Sequence, residues 1–126
     1  MTSSGACAIV TNLDAEKTLR LPVRPPEQPA PGQCFHQGAF PGTSVMFQLV
    51  EGGREKFEGD KRRLKSPLVL QGIGDDAYAI VSSAGFVQLG FVKGGRYATL
   101  VVSKQYDTTL LEATKKLAGI AAARLP

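Results

Sequence analysis

Alternating apolar and polar residues in the second half of the chain predict a β-hairpin. Its turn is Gly94-Gly95, a pair that readily adopts the positive φ angles of a two-residue hairpin turn. Because side chains alternate along a strand, Gln88, Tyr97 and Thr99 are predicted to form the more polar face. The register set by the turn gives the other face an apolar set: Val87, Leu89, Phe91, Ala98, Leu100 and Val102.

Helical spacing of apolar residues predicts a last helix within 106–125. Thr109 and Glu112 have the spacing of a capping box at its start. Small residues among the apolar positions would let this helix lie close to the sheet. The small residues are Ala118, Ala121 and Ala122, and the positions at helical spacing are Leu110 or Leu111, Thr114, Leu117, Ala121 and Leu125.

A short first helix is predicted to follow Thr11. This threonine is a suitable N-cap, and Asp14 lies in the first turn, where the helix dipole favours a carboxylate. Leu13 and Leu19 are expected to face the core. The helix is predicted to stop before Pro22, which cannot continue it.

Four further strands and one exposed helix complete the pattern. Two strands are predicted over 32–40 and 43–50, on either side of a Pro-Gly turn at 41–42. A strand, a turn and a second strand are predicted over 68–81. The intervening segment 51–67 is predicted to be a short exposed helix, anchored by Phe57 and Leu64 and broken near Gly59.

These elements predict an α+β fold in one domain, 1–126, with a mainly antiparallel sheet of about five strands packed by N- and C-terminal helices. A chain of 126 residues suits one domain and buries roughly two-thirds of its unfolded surface on folding. Prolines at 22, 25, 26, 29 and 31 oppose both helix and interior strand. The stretch 22–31 is therefore predicted to be an extended linker on the surface.

Cys7 and Cys34 are the only cysteines, and we expect them to form a disulfide. The bond would close a loop of about 27 residues, which the chain-entropy account values at roughly 3.5 kcal/mol. Disulfides persist in oxidising compartments, so the pair points to export. Two free buried thiols are the alternative. A metal site or a nucleophile pair with His36, the only histidine, is disfavoured, because structural zinc needs about four ligands and alternation sets residues 34 and 36 side by side.

The segment Gly72-Ile73-Gly74-Asp75-Asp76 raises the question of a phosphate or metal site. It lacks the Lys-Ser or Lys-Thr of a P-loop, and the residues after it favour a strand over the helix of a dinucleotide loop. It also lacks the alternating oxygen ligands of an EF-hand. We therefore interpret it as a turn, in which Gly72 and Gly74 supply unusual φ angles and an aspartate bonds the backbone two residues further on.

The distribution of charge adds one candidate site. The chain has 15 Lys and Arg, 11 Asp and Glu and a formal net charge of +4. A basic run within 61–65 could bind an anion, although such a run is more often a solvated helix face. No aromatic residue is interleaved with it, so nucleic acid is a disfavoured partner. The run comprises Lys61, Arg62, Arg63 and Lys65.

No stretch has the roughly 20 apolar residues of a membrane span, and the first residues lack the apolar run of a signal peptide. Read literally, the chain is cytoplasmic. The start Met1-Thr2-Ser3-Ser4 is equally compatible with a chain from which an export signal upstream of Thr2 has been removed. With the cysteines, this favours an extracytoplasmic protein that is periplasmic, secreted or lipid-anchored.

The order of these features resembles small secreted bacterial lipoproteins of unknown function, best known from actinobacteria. That resemblance implies a disulfide between the paired cysteines and an antiparallel sheet packed by helices, as in the Mog1/PsbP type. It implies no catalytic residue. Cys7 lacks the aliphatic residue three positions earlier that lipidation favours, so a bridge suits it better. The matching pieces are Cys7, Cys34-Phe35-His36, Gly72-Ile73-Gly74-Asp75-Asp76-Ala77-Tyr78 and Arg124-Leu125.

Three functional hypotheses follow. The favoured one is a non-enzymatic extracytoplasmic binding or accessory module, without a cofactor, whose partner is an envelope protein or an anionic surface. The second is a small metal-dependent hydrolase that uses His36 with Asp75 or Asp76. The third is a nucleic-acid binder that uses the basic run.

Overall fold

The computed structural model describes residues 4–50 and 52–125. They form the predicted α+β fold, with helices flanking one antiparallel sheet of six strands where about five were expected. The sheet order is β1-β2-β6-β5-β4-β3. The helices are α1 (Ser4–Ile9), α2 (Asn12–Leu19), α3 (Gly53–Arg63) and α4 (Leu110–Arg124). The strands are β1 (Gln33–Gln37), β2 (Ser44–Val50), β3 (Leu68–Leu70), β4 (Asp76–Ser82), β5 (Phe86–Lys93) and β6 (Arg96–Ser103).

The hairpin of β5 and β6 has the predicted register. Leu89 pairs with Leu100 and Phe91 with Ala98, and both turn glycines have positive φ. The apolar face of this hairpin is buried. α4 packs on β5 and β6, and α1 and α2 pack on β2. The main core therefore lies between this sheet face and helices α1, α2 and α4.

Helix α4 buries the residues that its spacing predicted, including Leu110, Leu117 and Ala121. Its predicted capping box is wrong. Thr109 occupies the N-cap position, but its hydroxyl makes no cap bond and donates instead to the carboxylate of Asp107 at 2.5 Å. Glu112 forms an exposed ion pair with Lys115.

Helix α2 begins as predicted. The Thr11 hydroxyl accepts from the backbone N–H of Asp14, and the Asp14 carboxylate accepts from the backbone N–H of Thr11. The expectation that Leu13 faces the core is wrong, since its side chain is 60% exposed. Leu13 and Leu19 lie about 120° apart around a helix, so one apolar stripe cannot include both. The buried stripe contains Ala15, Thr18 and Leu19.

Helix α3 lies on the other face of the sheet and corrects two expectations. It continues through Gly59 to Arg63, supported by ion pairs one turn apart such as Arg54–Glu58. Tyr97, expected on a polar face, is fully buried beneath it. Phe57 of α3 packs edge-on against Tyr97 at 5.5 Å, which forms a second, smaller core. Its members are Phe57, Tyr78, Val92 and Tyr97.

The predicted disulfide between Cys7 and Cys34 is present and ties α1 to β1. Helix α1 was not predicted, because its six residues include Ser and Gly and have no apolar periodicity. The Pro-rich stretch 22–31 runs beside β1, where Val23 pairs with Gly38 and Glu27 with Phe35. It therefore covers the outer edge of β1 with local backbone pairing.

Candidate ligand-binding face

The sheet face on the side of α3 carries a broad area without a charged side chain, which we call the neutral face. Paired positions of β1, β2, β6, β5 and β4 form it, and all of them are partly exposed except Gly90, which is buried. Helix α3 covers the neighbouring row from Val50 to Asp76, through Tyr97 and Val92, and its Phe57 also packs on Tyr78. The neutral face comprises Gln33, Phe35, Gln37, Ser44, Met46, Gln48, Ile80, Ser82, Phe86, Gln88, Gly90, Thr99, Val101 and Ser103.

Cross-strand pairing sets these side chains in rows. The central row runs from Phe35 through Met46 and Val101 to Gln88 and Ile80. Serines, glutamines and a threonine fill most of the rows on either side. With strands about 4.8 Å apart and same-face residues about 6.8 Å apart, the area measures about 19 Å across the strands and about 14 Å along them. It is an apolar centre with hydrogen-bonding side chains around it.

Charged side chains return at the borders of the neutral face. Along the outer edge of β1, the backbone N–H groups of Arg24 and Glu27 donate to the carbonyls of Gln37 and Phe35, at 2.8 and 2.9 Å. Helix α3, rich in charged residues, forms the opposite border. Charged side chains are therefore absent from the neutral face itself, although they are present on the segments around it.

A chain of hydrogen bonds connects the neutral face to α3. The Tyr78 and Tyr97 hydroxyls are 2.6 Å apart, and the Tyr97 hydroxyl donates to the Asp60 carboxylate of α3 at 2.9 Å. The side chain of Gln88, on the neutral face, bonds the Tyr78 hydroxyl. Burial raises the pKa of both tyrosines, so both remain neutral donors. The chain fixes α3 and orients Gln88 at the same time.

Gly90 makes this arrangement possible. A Cβ at this position would lie 2.5 Å from the ring of Tyr78, which crosses directly over it. The glycine is needed for close approach of a side chain, since its φ is not among the positive values.

The predicted site residues around the disulfide form a buried cluster on the core side. His36 is fully buried, and its Nε2–H donates to the Val10 carbonyl at 2.9 Å, with the Cys34 sulfur 3.3 Å away. Its Nδ1 lies 2.6 Å from the Asn12 side-chain amide. Burial lowers the pKa of His36, against the opposing effects of its hydrogen bond to the Val10 carbonyl and of the charge of Asp14. The histidine joins α1, α2 and β1 from the inside.

Gly72 to Asp75 lie in the turn between β3 and β4, and Asp76 is the first residue of β4. Gly72 and Gly74 have positive φ, and a Cβ on Gly74 would meet the Val92 carbonyl oxygen at 2.6 Å. Asp75 accepts from the backbone N–H of Gly94 at 2.9 Å, so its carboxylate links this turn to the hairpin turn. Asp76 accepts from the backbone N–H of Ala77 and lies near Arg54 and Lys61.

The basic run lies at the end of α3 and in the residues after it. Lys61 pairs with Asp76 at 3.6 Å and Arg63 pairs with Asp60. Arg62 and Lys65 are exposed. Half of the run is thus matched by carboxylates of the same chain, which reduces its field toward an external anion.

The structure does not bring His36 together with Asp75 or Asp76. β1 and β4 are separated by three strands, about 19 Å at the usual spacing. His36 also points into the main core, whereas Asp76 lies on the α3 side. Across residues 4–50 and 52–125, no group of three or more His, Cys, Asp and Glu side chains could hold a metal ion.

Within the same described ranges, no helix is both long and apolar enough to cross a membrane. No protein-family model, curated protein or solved structure matches this chain. The neutral face must therefore be interpreted from its own chemistry. Sequence reasoning placed Gln88 and Thr99 on a polar sheet face but did not recognise a site there, although the alternation of apolar residues with glutamine and serine in β1, β2 and β5 carried the signal.

Proposed function

We propose that this protein is a non-enzymatic, extracytoplasmic binding module that holds an uncharged glycan chain on its neutral face. The observation that carries this proposal is the lack of any charged side chain on the neutral face, which extends over five strands, in a chain with 15 basic and 11 acidic residues. An exposed area of this kind, with an apolar centre and a polar rim, is typical of binding surfaces.

The side chains of the neutral face suit sugars. An amide or hydroxyl can both donate and accept a hydrogen bond, as each sugar hydroxyl does. The exposed parts of Phe35 and Phe86 offer apolar surface for the C–H faces of sugar rings. A charged ligand would lose its hydration there without gaining an opposite charge. The amides and hydroxyls are those of Gln33, Gln37, Gln48, Gln88, Ser44, Ser82, Ser103 and Thr99.

A second copy of the chain fits the neutral face less well. Sheet-to-sheet packing would bury every amide and hydroxyl of both copies, and each would need a partner. The area, about 300 to 500 Å² per copy from the strand spacing, is below the roughly 800 Å² of a standard interface. Two copies would each carry a net charge of +4. None of these three obstacles applies to a solvated glycan chain.

The compartment is supported by the Cys7–Cys34 disulfide, a bond that persists in oxidising surroundings. The resemblance to small secreted lipoproteins supports the same compartment. Glycan chains are abundant outside the cytoplasmic membrane, so the proposed ligand and the proposed location agree.

Calorimetric titration with uncharged linear hexasaccharides tests the proposal, with chitohexaose, cellohexaose and maltohexaose as probes. We expect at least one to bind with a micromolar to millimolar dissociation constant. Phe35→Ala and Gln48→Ala should each weaken that binding about fivefold or more. Gln71→Ala, which changes an exposed glutamine in the β3–β4 turn, is the matched control and should leave it unchanged.

Two results would overturn the proposal. One is a failure of all three hexasaccharides to bind the folded protein. The other is a dimer in sedimentation that Gln48→Lys dissociates, because the neutral face would then be an interface between copies.

A further inference from the structure

A groove between α2 and α4 forms a second candidate site, on the helix-covered side of the sheet. Its volume is about 410 Å³, within the range of small-molecule sites. Ala113, Leu117 and Ile120 of α4 supply apolar surface, and Thr18 of α2 closes the other wall. The groove is independent of the neutral face, because the sheet lies between them.

Two exposed apolar side chains mark this groove. Ile120 lines it and is 41% exposed. Leu13, which was expected in the core, is exposed one helical turn before Lys17, a residue of the groove wall. Residues four apart lie on the same side of a helix, so Leu13 extends the apolar surface toward the end of the groove.

The carboxylates around the groove are already paired. Asp14 accepts from Arg124, and Asp107 pairs with Arg20 at 3.0 Å. Hydrogen bonds from Thr109 and the charge of Arg20 hold the pKa of Asp107 below its ordinary value, so this carboxylate keeps its charge. Glu112, at the rim, pairs with Lys115.

Two lysines of the groove wall have no such partner. In the part of the chain that the structure describes, Lys17 and Lys116 have no carboxylate within ion-pair distance, and both are exposed. Their charges are therefore available to a ligand, beside an apolar surface. This combination selects a molecule with an apolar chain and an anionic end.

We propose that the α2–α4 groove binds a single anionic amphiphile. Its apolar chain lies on Ala113, Ile120 and Leu13, and its carboxylate or phosphate lies at Lys17 and Lys116. Burial of the chain supplies most of the affinity, and the lysines select the charged end.

The test is an NMR titration of the ¹⁵N-labelled protein at low salt with dodecanoate, dodecyl phosphate and the uncharged dodecyl maltoside, each below its micelle concentration. We expect both anions to shift amides of α2 and α4 and to bind at least tenfold more tightly than the maltoside. The ratio of the two anions identifies which head group is preferred.

Lys17→Gln combined with Lys116→Gln should weaken anion binding tenfold or more and bring it close to that of the maltoside. Arg62→Gln combined with Lys65→Gln removes the same charge from the end of α3 and should leave binding unchanged. Ile120→Gln should weaken all three amphiphiles. These positions are exposed, and an unchanged amide spectrum outside the groove will show that each variant is folded.

The proposal is overturned if no amphiphile shifts the groove amides, or if the lysine variant binds as tightly as the parent. It is also overturned if the protein ignores free amphiphiles but sediments with phosphatidylglycerol vesicles. The lysines would then dock on a membrane surface rather than hold one molecule. Because glycan binding uses the opposite sheet face, either proposal can fail alone.

Discussion

His36 shows how one residue can look catalytic in the sequence and act as a structural link in the fold. It is fully buried beside the disulfide, with its Nε2–H on the Val10 carbonyl and its Nδ1 against Asn12. The spacing of Cys34 and His36 placed both on one strand face, as predicted, but could not show that α1 and α2 would cover that face. Burial lowers the pKa of the imidazole, which makes the neutral form part of the folded state.

This burial predicts a loss of stability on mild acidification. In the unfolded chain the histidine takes up a proton near pH 6.5, whereas the folded state resists it. Stability is therefore full above about pH 6.5 and falls as the pH drops below it, by up to about 1.4 kcal/mol per pH unit. Urea unfolding between pH 7.5 and 5.5 measures this.

His36→Gln is the control for the acid effect and should give a flatter profile from a lower starting stability. Asp14 and Asp107, whose pKa values are lowered in the fold, lose their contributions only at more acidic pH. A flat profile for the parent protein over this range would contradict the prediction.

Two glycines predict opposite effects of the same substitution. Gly90→Ala should destabilise the protein by about 1–3 kcal/mol, because the new Cβ meets the buried Tyr78 ring, whose hydroxyl is held by Tyr97. Gly119→Ala, in the interior of α4, should stabilise it by about 0.5–1 kcal/mol, because the added Cβ would meet nothing within 4 Å beyond its own stretch of the helix. Chemical denaturation of both variants would refute this view of the Tyr78 contact if Gly90→Ala proved neutral.

Among the elements, those with a strong period were predictable and those held by distant contacts were not. The β5–β6 hairpin and α4 followed from alternation, the Gly94-Gly95 turn and apolar spacing. Helix α1 has no such period and is held by Cys7 and by Arg124, which donates to the Ile9 carbonyl at 2.8 Å. Tyr97 was misplaced because no local pattern reveals that α3 crosses that end of the sheet.

We predict that the disulfide, which ties α1 to β1, contributes substantially to the stability of the fold. Reduction should cost roughly 3.5 kcal/mol by loop entropy and lower the melting temperature by more than about 5 °C. Thermal melts with and without a reductant measure the effect, and non-reducing mass spectrometry verifies the bond. Cys7→Ser combined with Cys34→Ser should have the lower melting temperature both with and without the reductant. Equal melting of the oxidised and reduced parent would contradict the prediction.

At the scale of the whole molecule, one sheet separates two unequal cores. The main core on the side of α1, α2 and α4 contains most of the buried residues, including Leu89, Leu100 and Leu117. Among the residues that the structure describes, the second core contains four that are buried, namely Phe57 of α3 and three sheet residues beneath it. Both proposed sites follow from this division. The neutral face is the part of the sheet that α3 leaves uncovered, and the groove lies between α2 and α4 on the side of the main core.

The unequal cores predict that α3 opens before the rest of the fold. Its surface is largely charged, and Phe57 is its one fully buried side chain. Regions with few buried contacts open locally at a lower free energy than the core. We expect the amides of α3 to exchange with deuterium at least about tenfold faster than those of β5 and β6, as hydrogen-exchange mass spectrometry would show. Phe57→Ala should accelerate exchange mainly in α3, whereas Leu117→Ala, in the main core, should accelerate it throughout. If α3 and β5 exchanged at one rate in the parent and in Phe57→Ala, the two cores would be a single cooperative unit.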